Sequence, residues 1–406
     1  KPGHTLPLKP ARTIAFTADE GTALQLDVTP DGRTIVFDLL GDIYALPAKG
    51  GAARALTRGM ASDAQPTVSP DGSRIAFVSD RSGADNLWTM RPDGSDQRQV
   101  TFRDDNPVFV SPAWTADGRA LYASEFRPDR NAYRLWRFGL DGAGEIVIDN
   151  GAGPVSALGA ALSADGKSLF YARREGALDL ARPDEWRIVR RDLASGEDAV
   201  LVKAVGDIRL GPVQTSAFRP ALSRDGRWLG YAMRQAGETW LHLRDLGSDA
   251  DRRLLRLDPD SLQSAFWSDI VPRFAFTPDS RAILVTQDGK IRRVTLADGV
   301  VATVPFTADV KLELGPLARA PARIETGPVR ARLIMAPEPS PDGGWLAFSA
   351  LAHIYVMPLD GTAPPRRVDG LATGAFHPSW SADSRFWRGS ARPSAPSASL
   401  CSVRLA

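Results

Sequence analysis

The chain has 406 residues, 43% of them hydrophobic, with 36 glycines, 31 prolines and a near-neutral balance of 50 Lys plus Arg against 48 Asp plus Glu. That balance argues against an extended nucleic-acid surface, which needs clustered positive charge. No apolar run approaches the roughly 18 residues of a membrane helix, and the single cysteine, Cys401, excludes an internal disulfide or a cysteine-rich zinc site.

In chain order, residues 13–16 read as a lone strand, expected to complete the last unit of a closed ring. Thr29-Pro30-Asp31-Gly32 is then the first of eight similar turns. Proline pre-sets the first corner, aspartate bonds its own backbone, and glycine accepts the left-handed conformation that ends a tight hairpin. Strands follow at 34–37, 42–46 and 54–57. The second copy, Ser69-Pro70-Asp71-Gly72, leads into strands at 74–78, 87–90 and 97–101, with a second hairpin turn at Pro92-Asp93-Gly94. Counting residues 66–68 in front, the unit is a four-stranded antiparallel meander, too small to bury both its faces alone.

The third copy, Thr115-Ala116-Asp117-Gly118, precedes strands at 120–123, 134–137 and 145–148. Ser163-Ala164-Asp165-Gly166 and Ser223-Arg224-Asp225-Gly226 open the fourth and fifth units, with insertions at 173–185 and 258–269. Thr277-Pro278-Asp279-Ser280, Ser340-Pro341-Asp342-Gly343 and Ser381-Ala382-Asp383-Ser384 open the rest. Steps from one copy to the next run from 40 to 63 residues. Four strands at that spacing mark a propeller blade, and the longer steps are loop insertions. The expected fold is all-β, a propeller of four-stranded antiparallel blades, seven or eight in number with the last incomplete, covering residues 1–386. Residues 387–406 carry five serines, four alanines and no acidic residue. They are expected to be a disordered tail or the product of a shifted reading frame.

The four histidines, His4, His242, His353 and His377, form no HxH or HExxH constellation, and G-x-S-x-G is absent. Asp71 and its equivalents are turn residues. His242 and His353 fall in third strands as structural histidines, and His377 is placed near a central channel. Trp88, Trp136, Trp186 and Trp240 recur in third strands as packing, and Arg252-Arg253 and Arg366-Arg367 belong to solvated outer strands. No catalytic, cofactor-binding or metal-binding residue is therefore assigned. A ligand or partner face is expected where loops vary in length, opposite the uniform hairpins. It carries Asp80, Arg81, Asp85, Asn86, Glu125, Arg173, Arg174, Arg234 and Gln235.

The recurring SPDG, IAF, SD-R-G-x-x-x-LW and DG elements between residues 13 and 386 resemble the TolB-type propeller repeat. More narrowly, FTADEGTALQLDVTPDGRTIVFDLLGDIYALPAKGGAARALTRG and QPTVSPDGSRIAFVSDRSGADNLWTMRPDG are similar to the N-terminal propeller of exported bacterial amidohydrolases of the imidazolonepropionase-like type. This resemblance implies a periplasmic or secreted protein. It also implies the non-catalytic propeller module of a truncated amidohydrolase-like protein, which would bind or gate a substrate or partner beside the hydrolase domain of the complete protein. A divalent metal, zinc, would belong to that domain, whose ligands have no counterpart positions here, so this chain is expected to be catalytically silent. Two other readings stay open: a self-sufficient periplasmic TolB-like propeller that docks a peptide or envelope protein, and the propeller of a serine peptidase.

Overall fold

The computed structural model describes all residues except 1–8, 106, 130, 149–154, 176–185, 204–215, 236–237, 259–269, 317–325, 369–374, 385, 392–399 and 405–406. Every regular element among the described residues is a β-strand. The strands form eight sheets, the last with three strands. These sheets divide into two compact units, residues 1–318 and 319–406, rather than sharing the single ring expected from the repeat.

The first unit holds six blades. Blade I comprises Leu26–Val28, Thr34–Leu39, Asp42–Pro47 and Gly51–Ala55; blade II comprises Asp63–Val68, Ile75–Ser79, Asn86–Met90 and Arg98–Gln99. Blades III to VI repeat this meander from Val108–Trp114, Val155–Leu162, Ser216–Leu222 and Ala275–Phe276 as innermost strands. Each innermost strand contacts the next, and that of blade VI returns to that of blade I, closing the ring at six. Burial follows position: Ile75–Ser79 is buried throughout, whereas the fourth strand Gly51–Ala55 is mostly exposed. The interblade core is therefore built from second and third strands such as Phe37, Tyr44, Phe77 and Leu87.

The repeated turn fixes each blade to its neighbour. Ser69 Oγ donates to Asp71 Oδ1 at 2.6 Å, the N–H of Ser73 donates to the same oxygen at 3.0 Å, and the N–H of Arg74 donates to Ser69 Oγ at 2.9 Å. These bonds, led by Ser69, hold the Asp71 carboxyl below its usual range, so it is the turn residue the sequence implied. Gly72 has φ +74°, and a Cβ there would lie 3.3 Å from Pro30 of the preceding blade. Gly32 faces Pro278 in the same way across the point of closure. In blade VI serine replaces the glycine at φ +55°, and Ser280 Oγ accepts the N–H of Asp225 from blade V.

The N-terminal strand, Arg12–Ala18, does not complete the last blade. It pairs antiparallel with Phe306–Leu314, which itself runs parallel to Gly51–Ala55, so blade I becomes a six-stranded sheet. The second unit holds a four-stranded blade, Met335–Pro339, Trp345–Ala350, His353–Pro358 and Arg366–Arg367. Beside it lies a three-stranded sheet of Ala375–Trp380, Phe386–Ala391 and Leu400–Arg404. Ala347, Ile354, Val356 and Ala375 form their shared core. The stretch expected to lack regular structure thus contributes two strands, paired from Phe386 opposite Arg404 to Ser390 opposite Leu400; residues 392–399 lie outside the described residues.

Candidate functional site

The concave feature to which all six blades contribute is a recess of about 370 Å³ on the axis of the first unit, on the side of the uniform hairpins. Its rim is the second residue of each turn, Pro30, Pro70, Ala116, Ala164, Arg224 and Pro278. Its charged lining is Asp27 against Arg219, Arg224 and Arg273, giving one carboxylate to three guanidinium groups. The exposed Arg224 reaches across the mouth from blade V, donating to the carbonyls of Pro30 at 3.1 Å and Pro70 at 3.3 Å.

The floor arises from a local irregularity repeated along the chain. Four residues before the first residue of each turn stand Gln25, Gln65, Ser111, Gly159, Arg219 and Arg273. At Gln65, Ser111, Gly159 and Arg219 the backbone has positive φ and the strand pairing slips, the mark of a β-bulge. The bulge turns the Gln65, Ser111 and Arg219 side chains toward the axis, where they bond across the ring. Arg219 donates to Ser111 Oγ at 2.6 Å and to Gln25 Oε1 at 3.1 Å, while the Arg273 N–H donates to Gln25 Oε1 at 2.6 Å and that of Ser111 to Gln65 Oε1 at 2.6 Å.

A neighbouring blade holds the bulges at Gln65, Ser111 and Gly159. Asp38 accepts the N–H groups of Gln25 and Gln65, both at 2.8 Å, joining blades I and II. Ser124 Oγ accepts the N–H of Gly159 at 3.1 Å by the same device. Burial pushes the Asp38 carboxyl up to about 6 even though these amides and Arg273 favour its charged form. None of these six residues was singled out from sequence, although their fixed distance from the turn was a usable signal. His377 occupies the equivalent bulge position in the second unit, with φ +55° and its N–H donating to Ser349 Oγ at 3.1 Å.

The residues expected on the variable-loop face separate into two groups. Asp80 and Asp85 share a cavity of about 580 Å³ with Asp105, Arg127 and Asp129. Burial, and secondarily the charge of Asp80, pushes the Asp85 carboxyl up to about 6. Arg127 pairs with Asp105 and, at 3.2 Å, with Asp129. Among the described residues no group of three or more His, Cys, Asp or Glu side chains could hold a metal ion.

The rest of that group serves the framework. Arg81 pairs with Asp63 and lies over Phe77 and Trp88. Asn86 is fully buried, donating to the carbonyls of Ala84 and Arg103 and accepting the N–H of Arg103 at 2.8 Å. Glu125, 1% exposed, accepts the Trp136 indole N–H at 2.7 Å and lies 3.0 Å from Arg103; burial raises its pKa. Arg173 pairs with Glu175 and Asp198, and Gln235 accepts from Arg253 at 2.7 Å. Arg174 is buried opposite Ser156, and Arg234 stands opposite Ser216 in the sheet. His242 bonds Asp251 at 2.9 Å on an outer edge, as a structural histidine does.

Residues 12–188 match the family model for the Tricorn protease N-terminal beta propeller domain. The fold is an all-β propeller, and over this stretch the chain is similar to that domain. The chain is 27% identical over 240 residues to the uncharacterized peptidase YuxL of Bacillus subtilis, covering 53% of this chain and 31% of that protein. It is 32% identical over 128 residues to the TolB homolog of Chlorobium luteolum, covering 30% of this chain and 29% of the relative. Tricorn protease homolog 1 of Streptomyces coelicolor is 30% identical over 97 residues, which cover 24% of this chain and 9% of that protein. The chain thus spans less than a third of each of these relatives. The crystal structure of the tricorn protease shares the fold, with a TM-score of 0.51 at 17% identity over 92% of this chain and 38% of that one.

Proposed function

We propose that the chain is a non-catalytic propeller module of an exported, periplasmic protein, which receives a peptide or protein segment in the axial recess. There it orients or restricts the segment for a hydrolytic domain. The observation that carries this reading is the recess itself: a rim to which every blade of the first unit contributes, a hydrogen-bonded floor, and three arginines against one aspartate. Such a pocket holds a segment end and favours an acidic one, since a guanidinium binds a carboxylate through two parallel bonds. The peptidase and Tricorn relatives and the N-terminal resemblance to amidohydrolases support a hydrolytic neighbour. A metal such as zinc would belong to that neighbour.

The test is fluorescence anisotropy of the full chain with a panel of labelled acidic peptides carrying free or amidated C-termini. Free-acid peptides should bind more tightly, and Arg224→Glu should weaken them about tenfold. Absence of binding, or binding indifferent to both Arg224→Glu and a bulky Ala116→Trp at the rim, would overturn the reading. Metal-dependent turnover of amide substrates by the isolated chain would refute its non-catalytic part.

A further inference from the structure

The N-terminal strand leaves one edge of blade I without a partner. Arg12–Ala18 pairs with Phe306–Leu314 on one side and is the end strand of its sheet. Among the described residues nothing pairs with its other edge. The strand is seven residues long, almost wholly exposed, and carries none of the devices that blunt an edge: no proline, no bulge and no central charge. Ile14 and Phe16, 41% and 42% exposed, project on one face beside Val310 and Leu312 of the neighbouring strand.

We propose that this edge pairs antiparallel with the same edge of a second copy of the chain about a two-fold axis at Ala15. The sequence is self-complementary in that register. Ile14 stands opposite the Phe16 of the second copy and Phe16 opposite its Ile14, giving two aromatic to β-branched cross-strand pairs. The strand is flanked by Lys9 and Arg12 at its start and Asp19 and Glu20 at its end. Antiparallel pairing sets each basic end against an acidic end. In that register Arg12 stands opposite the second copy's Ala18, within two residues of its Glu20, and Lys9 lies toward its Asp19 and Glu20 just beyond the strand. The Asp19 and Glu20 side chains are 70% and 68% exposed while reaching Lys290, so their outer oxygens face solvent. A parallel pairing in register would set basic end against basic end and acidic against acidic. The charge pattern therefore selects a second copy in one orientation, an isologous contact in which every interaction occurs twice.

Sedimentation velocity of the full chain over about 1–200 μM should show a reversible dimer with a dissociation constant on the order of 10 μM, as suits a small interface. Replacing both apolar residues, Ile14→Lys with Phe16→Lys, should leave a monomer with an unchanged circular dichroism spectrum. Arg12→Glu should weaken the dimer about tenfold because the two-fold axis doubles the loss, and adding Glu20→Arg should restore it to within about threefold. In a Cys401→Ser background, Ala15→Cys should form an intermolecular disulfide on oxidation. Directly opposed Cα atoms about 4.5–5.5 Å apart lie within bridging range. Thr13→Cys should not, because its partner in this register is Thr17. A wild-type monomer at every concentration, a dimer indifferent to the lysine pair, or crosslinking at residue 13 but not 15 would overturn the proposal.

Discussion

Arg219 tests whether the bulged inner strands hold the ring together through the axis. It is 4% exposed, sits at φ +58°, and donates hydrogen bonds that cross from blade V to blades III and I. A hydrogen bond from a charged donor contributes about 1.5–3 kcal/mol. The recess lets water reach part of the vacated space, so the lower end of that range applies to each bond. Arg219→Ala should therefore cost about 3 kcal/mol. Arg219→Gly removes the same side chain but relieves about 1 kcal/mol of left-handed backbone strain, so it should cost about 2 kcal/mol. Blade IV already carries Gly159 at this position, with φ +67°. Urea unfolding followed by tryptophan fluorescence should rank the midpoints as wild type, then glycine, then alanine. An alanine variant as stable as the glycine one would refute the strain argument. Two variants within about 0.5 kcal/mol of wild type would refute the claim that the axial network supports the ring.

Asp85 predicts a pH dependence with a definite sign. Its folded pKa is raised to about 6 from 3.8, so the fold favours its protonated form. That contribution is complete below pH 3.8 and is lost as pH rises through about 6. Asp85→Asn should thus be more stable than wild type by about 1–2 kcal/mol at pH 7.5 and indistinguishable at pH 3.5, measured by denaturant midpoints across pH. Gly50→Ala should destabilise the ring by more than about 3 kcal/mol in thermal unfolding, because at φ +91° its Cβ would meet the Pro305 carbonyl oxygen just before the strand Phe306–Leu314. Tyr231→Phe removes the hydroxyl that donates to Asp251 beside His242 and should cost about 1–2 kcal/mol in the same assay. Arg224→Glu should abolish the preference for free-acid over amidated peptides without moving the thermal midpoint, since Arg224 lies exposed at the rim.

The sequence by itself determined the blade. The turn Ser69-Pro70-Asp71-Gly72 encodes its own geometry through contacts no more than five residues apart, and the alternation on either side of it settles the strands. It also revealed eight copies of the turn. Only the tertiary structure decided how those copies close. Whether blade VI meets blade I or a seventh blade depends on Thr286 reaching the Leu24 carbonyl and on Gly32 meeting Pro278, contacts between residues far apart in the chain. The N-terminal strand was legible as a strand, but its partner Phe306–Leu314 was not, because an outer-edge pairing leaves no mark on the local pattern. The same divide runs through the candidate sites. Asp80 and Asp85 could be placed on a loop face, yet Arg81, Asn86 and Glu125 look identical as free charges or framework until Asp63, Arg103 and Trp136 are brought beside them. Arg219 and Gln25 meet because a bulge turns one side chain toward the axis and six blades converge there. Convergence on an axis is a property of the ring and of no single repeat.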